Sequence, residues 1–142
     1  MGKEWAYLDQ KNVLGVEIKS GIHATILTGL FLGIDSSGKA VLADNQAGVS
    51  QCAARGASYN NGTHGTYSKT VNDTCASLIR CGKLTGFSGL TPGADAFLSS
   101  GGGITLAEPT TPGDLKQVVG FVGEDTETIW VDISQAEVVP SP

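Results

Sequence analysis

The sequence predicts an all-β protein: a compact β-barrel or β-sandwich of short antiparallel strands, preceded by an extended N-terminal arm. Three observations point there. Twenty of the 142 residues are glycine, against a usual usage of roughly 7%, and they fall as punctuation between short apolar runs. No stretch carries an apolar stripe of period 3.6 through three helical turns, so no long helix is expected. Several runs alternate apolar with polar residues and end in glycine- or proline-bearing turns, the spacing of a many-stranded sandwich or barrel. The length suits one domain. It divides into an arm at residues 1–12, a single β domain at 13–139 and a tail at 140–142. At least eight strands are expected.

The arm holds EWAYLDQ at residues 4–10. Trp5, Tyr7 and Leu8 are too apolar to stay in water, so they pack on their own domain or on another chain. VLGVEIK, residues 13–19, is the first strand, with Val16 and Ile18 on one face and Glu17 and Lys19 on the other. Ser20 and Gly21 turn the chain. Residues 24–34 form a second apolar run in which Gly29 and Gly33 mark bends or close backbone contacts. DSSG at 35–38 is a turn: Asp35 accepts backbone N–H bonds and Gly38 takes positive φ. KAVLA then returns, and the pair reads as a hairpin.

Residues 45–74 are polar, rich in Gly and Asn, and carry Tyr59 and Tyr67. They read as a surface loop excursion or a loose hairpin turning at NNG. Residues 75–85 fit a short helix capped by Asp73 or Thr74, or a strand. The strand is preferred, with Cys75, Ser77, Ile79 and Cys81 on one face and Ala76, Leu78 and Arg80 on the other. In SGLTPG, Pro92 and Gly93 occupy the central positions of a type II turn. ADAFLSS is a strand with Ala96 and Leu98 on one face and Phe97 on the other. GGG at 101–103 turns the chain into residues 104–106, and Pro112 and Gly113 turn it again. LKQVVGFV at 115–122 is a strand whose Gly120 marks a bulge or crowding by a neighbour. TIWVDI at 128–133 alternates Ile129, Val131 and Ile133 against Trp130 and Asp132. Trp130 therefore either anchors an interface or fills the second side of a sandwich.

Charge and motif content narrow the function. Nine Lys and Arg stand against fourteen Asp and Glu, a net charge of -5. The basic residues form no stripe, so direct nucleic-acid binding is not expected. No apolar run approaches the roughly 20 residues that span a bilayer, and the first residues lack the order of a signal peptide. Cys52, Cys75 and Cys81 lack zinc-ligand spacing. Either Cys75 and Cys81 pair across a bend, or all three are small buried thiols. Walker, nucleophile-elbow and HExxH patterns are missing. His23 and His64 sit in no recognisable catalytic pattern, though a small hydrolase would need one of them beside a serine and an acid. Glu124, Asp125 and Glu127 share one turn and read as a solvated tip, with a weak calcium site the other reading. No catalytic residue, metal or cofactor is predicted.

Taken together, GIDSSGKAVLAD (33–44), GKLTGFSGLTPGADAFLSSGGGITLAEPTTPGD (82–114), LKQVVGFV (115–122) and TETIWVDI (126–133) make the sequence resemble the small cement, or head-decoration, proteins of tailed bacteriophages. The resemblance covers roughly residues 25–133. It implies a non-enzymatic β-barrel or sandwich on the outer surface of an icosahedral capsid, often trimeric, bound where major-capsid subunits meet. This chain departs from the short form at 45–74, and the likeness does not extend to the arm. Expected capsid or subunit contacts are Trp5, Tyr7, Leu8, Tyr59, Tyr67 and Trp130. The alternative is a spike or fibre-base module that binds host glycan or protein through the loop from Tyr59 to Tyr67.

Overall fold

Alternation and turn chemistry write most of the strands. The fold is a computed structural model that describes residues 13–17, 29–48, 50–58 and 75–141, the side chains of 13–17 and 75–77 excepted. The expected arm and the NNG turn with Tyr59 and Tyr67 lie outside the described residues.

Twelve strands form among the described residues: β1 (Val13–Glu17), β2 (Phe31–Ile34), β3 (Ala40–Leu42), β4 (Gly56–Ser58), β5 (Cys75–Ile79), β6 (Cys81–Leu84), β7 (Asp95–Leu98), β8 (Ile104–Thr105), β9 (Leu115–Lys116), β10 (Val118–Val122), β11 (Ile129–Asp132) and β12 (Glu137–Val138). A first sheet has the order β1-β5-β4-β2-β3 and a second the order β6-β11-β10-β7-β8; β9 and β12 pair separately. Every pairing is antiparallel. Both large sheets keep two edges, so the structure is sandwich-like and not a closed barrel. One core cluster joins them: Phe31, Ala54, Ala57 and Ile79 from the first side meet Leu84, Leu98, Val119, Ile129 and Val131 from the second.

The predicted hairpin is β2–β3, with Leu32 opposite Leu42. The Asp35 carboxylate accepts from the N–H groups of Ser37 at 2.9 Å and Lys39 at 3.0 Å. Its geometry is completed by Gly38, whose φ of 79° L side chains rarely adopt. The type II turn before β7 is also present: the Ala94 N–H donates to the Thr91 carbonyl at 3.1 Å. In β7, Ala96 and Leu98 are buried and Phe97 is half-buried, as alternation predicts.

Two segments differ from expectation. The excursion at 45–74 is not loop throughout, because its residues 56–58 form β4. That strand lies inside the first sheet, between β2 and β5, and all three of its residues are buried. Its Gly-Ala-Ser composition reads as loop, yet small size is what the position demands. A Cβ on Gly56 would come within 2.9 Å of the Leu78 Cβ and the Ile79 carbonyl oxygen. The run at 75–85 is a strand as preferred, but it breaks in two at Arg80. Here the chain leaves the first sheet as β5 and enters the second as β6. The predicted single face fails at that bend: Cys81 is exposed, while Leu84 is fully buried.

A buried side chain ties the two layers. Gln117, between β9 and β10, is 2% exposed. Its Oε1 accepts from the Ala54 N–H at 2.8 Å, and its Nε2 donates to the carbonyls of Ala54 and Ser134, both at 2.9 Å. Ala54 leads into β4 of the first sheet, and Ser134 follows β11 of the second.

Candidate functional site

The outer face of the second sheet carries the side chains best placed to meet another molecule. In β11, Ile129 and Val131 point into the core, which turns Trp130 outward; it stays 41% exposed. The register sets Phe121 of β10 opposite Trp130. Beyond them, Lys83 of β6 lies opposite Trp130 and Asp95 of β7 opposite Phe121. A row of Asp95, Phe121, Trp130 and Lys83 thus crosses four strands. Phe121 is 43% exposed.

Phe121 reaches this face only because β10 is bulged. Plain alternation from Val118 would turn it inward. The pairing with β7 slips between Val118 and Gly120, so Val119 and Gly120 both point inward and both are buried. The extra residue reverses the phase of everything after it. Gly120 is required there, since a Cβ would overlap the Trp130 carbonyl oxygen and come within 3.2 Å of the Ile129 Cγ2. Both readings of Gly120, bulge and crowding, hold at once.

Polar groups border the row. The Lys83 ammonium is 5.9 Å from the centroid of the Trp130 ring, within cation–π range. The indole lies along Gly123, where a Cβ would stand 3.0 Å from its Nε1. A small cleft beside it is lined by Lys83, Glu124, Asp125, Thr128 and Trp130. The Asp125 carboxylate accepts from the Glu127 N–H at 2.9 Å. That bond, then one from the Thr128 side chain, holds its pKa below the ordinary carboxylate value. Those bonds favour its ionised form and fix the turn.

Of the residues singled out in the sequence, Trp130 is on this face and no second layer of described residues covers it. Trp5, Tyr7, Leu8, Tyr59, Tyr67, His23, His64 and Asp73 lie outside the described residues. Cys52 is half-buried, and burial pushes its thiol above the ordinary value, which disfavours the reactive thiolate. Sequence reasoning missed Phe121 and Lys83. Gly120 marks the bulge in the sequence, but which side chains it turns outward depends on strand register, which local alternation does not record.

What these features define is an antiparallel sandwich-like β-protein with an uncovered aromatic row on one rigid sheet. No protein-family model matches the chain, and a search of curated proteins finds no match.

Proposed function

We propose that this chain is a structural virion protein. In this reading it binds the outer surface of an assembled icosahedral phage capsid and stabilises the contacts between major capsid protein subunits. It is made in the host bacterial cytoplasm and acts as a homotrimer. The observation that carries the reading is the adjacent, uncovered pair Phe121 and Trp130. Large aromatics on a rigid sheet lose little entropy on docking and are frequent anchors of interfaces. The resemblance to cement proteins at residues 25–133 supplies the partner.

The physics suits the role. A clamp that binds the assembled shell and not its separated subunits stabilises the shell by mass action. A symmetric oligomer makes several weak contacts at once, so its avidity exceeds one contact by about 10² to 10⁴. The net charge of -5 keeps the outward surface soluble.

The test uses shells with and without the protein. Shells that carry it should resist heat and chelator better than bare ones. Equal resistance at full occupancy would remove the stabilising role. Trp130→Ala and Phe121→Ala should each weaken attachment by about 2 kcal/mol, roughly 30-fold, if they are anchors. Unchanged occupancy in both variants would move the contact elsewhere.

The cleft beside Trp130 favours one other reading, a glycan-binding module. An aromatic platform bordered by Lys83, Glu124, Asp125 and Thr128 offers both stacking and hydrogen bonding to a sugar ring. Binding of the isolated protein to a glycan array, lost in Trp130→Ala, would establish that reading instead.

A further inference from the structure

The chain has two arginines, Arg55 and Arg80. They are 25 residues apart in sequence, yet they line one cleft with Ile133, Ser134 and Gln135. The fold brings them together. Arg55 immediately precedes β4 of the first sheet, and Arg80 is the bend where the chain crosses into the second. Both are exposed. Among the described residues Lys116 forms ion pairs with Glu108 and Glu137; neither arginine takes part in those. In a chain of net charge -5, two exposed arginines that line one cleft, outside those ion pairs of the described residues, suit an anion.

The complementary group is at the other end of the same strand. Glu124, Asp125 and Glu127 are exposed in the turn that leads into β11, and Ile133 to Gln135 follow that strand. From Glu127 to Ile133 is about 20 Å at roughly 3.3 Å per residue, about twice the screening length of about 10 Å at 0.1 M salt. The acidic turn cannot satisfy the arginines of its own copy. It can satisfy those of another.

We propose that the cleft between Arg55 and Arg80 receives the acidic turn of a second copy of this chain. The contact is head-to-tail: each copy offers an acidic turn at one end of β11 and a basic cleft at the other. Such a heterologous interface closes into a ring when its rotation divides a full turn, and otherwise runs on as a filament. Asp125 is committed to the turn's own hydrogen bonds, so Glu124 and Glu127 are the side chains that engage the guanidiniums. The inference does not rest on the capsid reading, because it concerns the protein alone in solution.

The experiment is the mass of the full chain by sedimentation at micromolar concentration, in low and high salt. The wild type should assemble beyond the monomer, and association should weaken about tenfold or more as salt rises from about 0.1 M to 1 M. Arg55→Glu with Arg80→Glu should weaken it by about tenfold or more, and so should Glu124→Lys with Glu127→Lys. The milder Arg55→Gln with Arg80→Gln should act in the same direction, and circular dichroism checks that each variant is folded. An equal mixture of the two charge-reversed proteins should associate again, as should one chain carrying all four reversals. A monomeric wild type in low salt would overturn the proposal. So would assembly indifferent to either reversal, or a failure of the mixture to associate. Loss of shell binding in the arginine variants with self-association intact would assign the cleft to a capsid carboxylate instead.

Discussion

At the scale of single residues, Ser58 is the clearest anomaly. It is fully buried in β4, inside the first sheet. Its backbone is satisfied: the N–H donates to the Leu30 carbonyl at 2.8 Å, and its carbonyl accepts from the Gly29 N–H at 2.9 Å. Its hydroxyl has no hydrogen-bond partner. A buried polar group left unpaired costs about 1–3 kcal/mol. Ser58→Ala removes the hydroxyl, opens little space and should raise stability by about 1 kcal/mol. A urea midpoint that rises with an unchanged slope would bear this out. A fall would mean that the hydroxyl bonds something in solution. Lys116 marks the opposite limit. The hydrogen bonds its ammonium donates to Glu108, then Glu137, raise its pKa, but the contacts lie at the surface, where solvent screens both.

At the scale of elements, the bulge in β10 decides what the second sheet presents. Gly120 holds it, pressed against the backbone of Trp130. Backbone does not step aside as a flexible side chain does, so Gly120→Ala forces β10 from β11. The cost should be about 3 kcal/mol, at the upper end for overpacking. The same change should shift the Trp130 fluorescence, because the indole sits on the strand that moves. A variant that melts with the wild type and keeps its emission would refute the crowding argument. That Trp130 lies on the face opposite Ile129 and Val131 was legible, because a period of two needs only those neighbours; that this face is uncovered was not. Phe121 was not legible either, because one inserted residue inverts the period without altering composition.

At the scale of the whole molecule, the chain crossing at Arg80 and the side chain of Gln117 join the sheets in addition to the shared core. Gln117→Ala would leave the Ala54 N–H, the Ala54 carbonyl and the Ser134 carbonyl short of a partner at the seam. The expected loss is about 3 kcal/mol, allowing part of that set to recover water. It should appear as a lower midpoint in one cooperative transition. A transition that splits in two would show the sheets unfolding separately. An unchanged midpoint would show that packing of Leu98, Val119 and Ile129 against Phe31 and Ala54 holds the layers without it.

The sequence by itself determined the strand-rich class, the β2–β3 hairpin, the turn before β7 and the placement of Trp130 on the face opposite Ile129 and Val131. Each depends on a few adjacent residues, since side-chain alternation and turn dihedrals are local properties of the backbone. Tertiary structure alone decided that Gly-Ala-Ser would be a buried strand, that the run through Arg80 would serve two sheets, that Phe121 would face out and that Arg55 and Arg80 would line one cleft. Those outcomes follow from which distant strand lies alongside and how closely its backbone approaches. Short local sequence carries no record of either, because the same small or polar residues serve equally well in a loop.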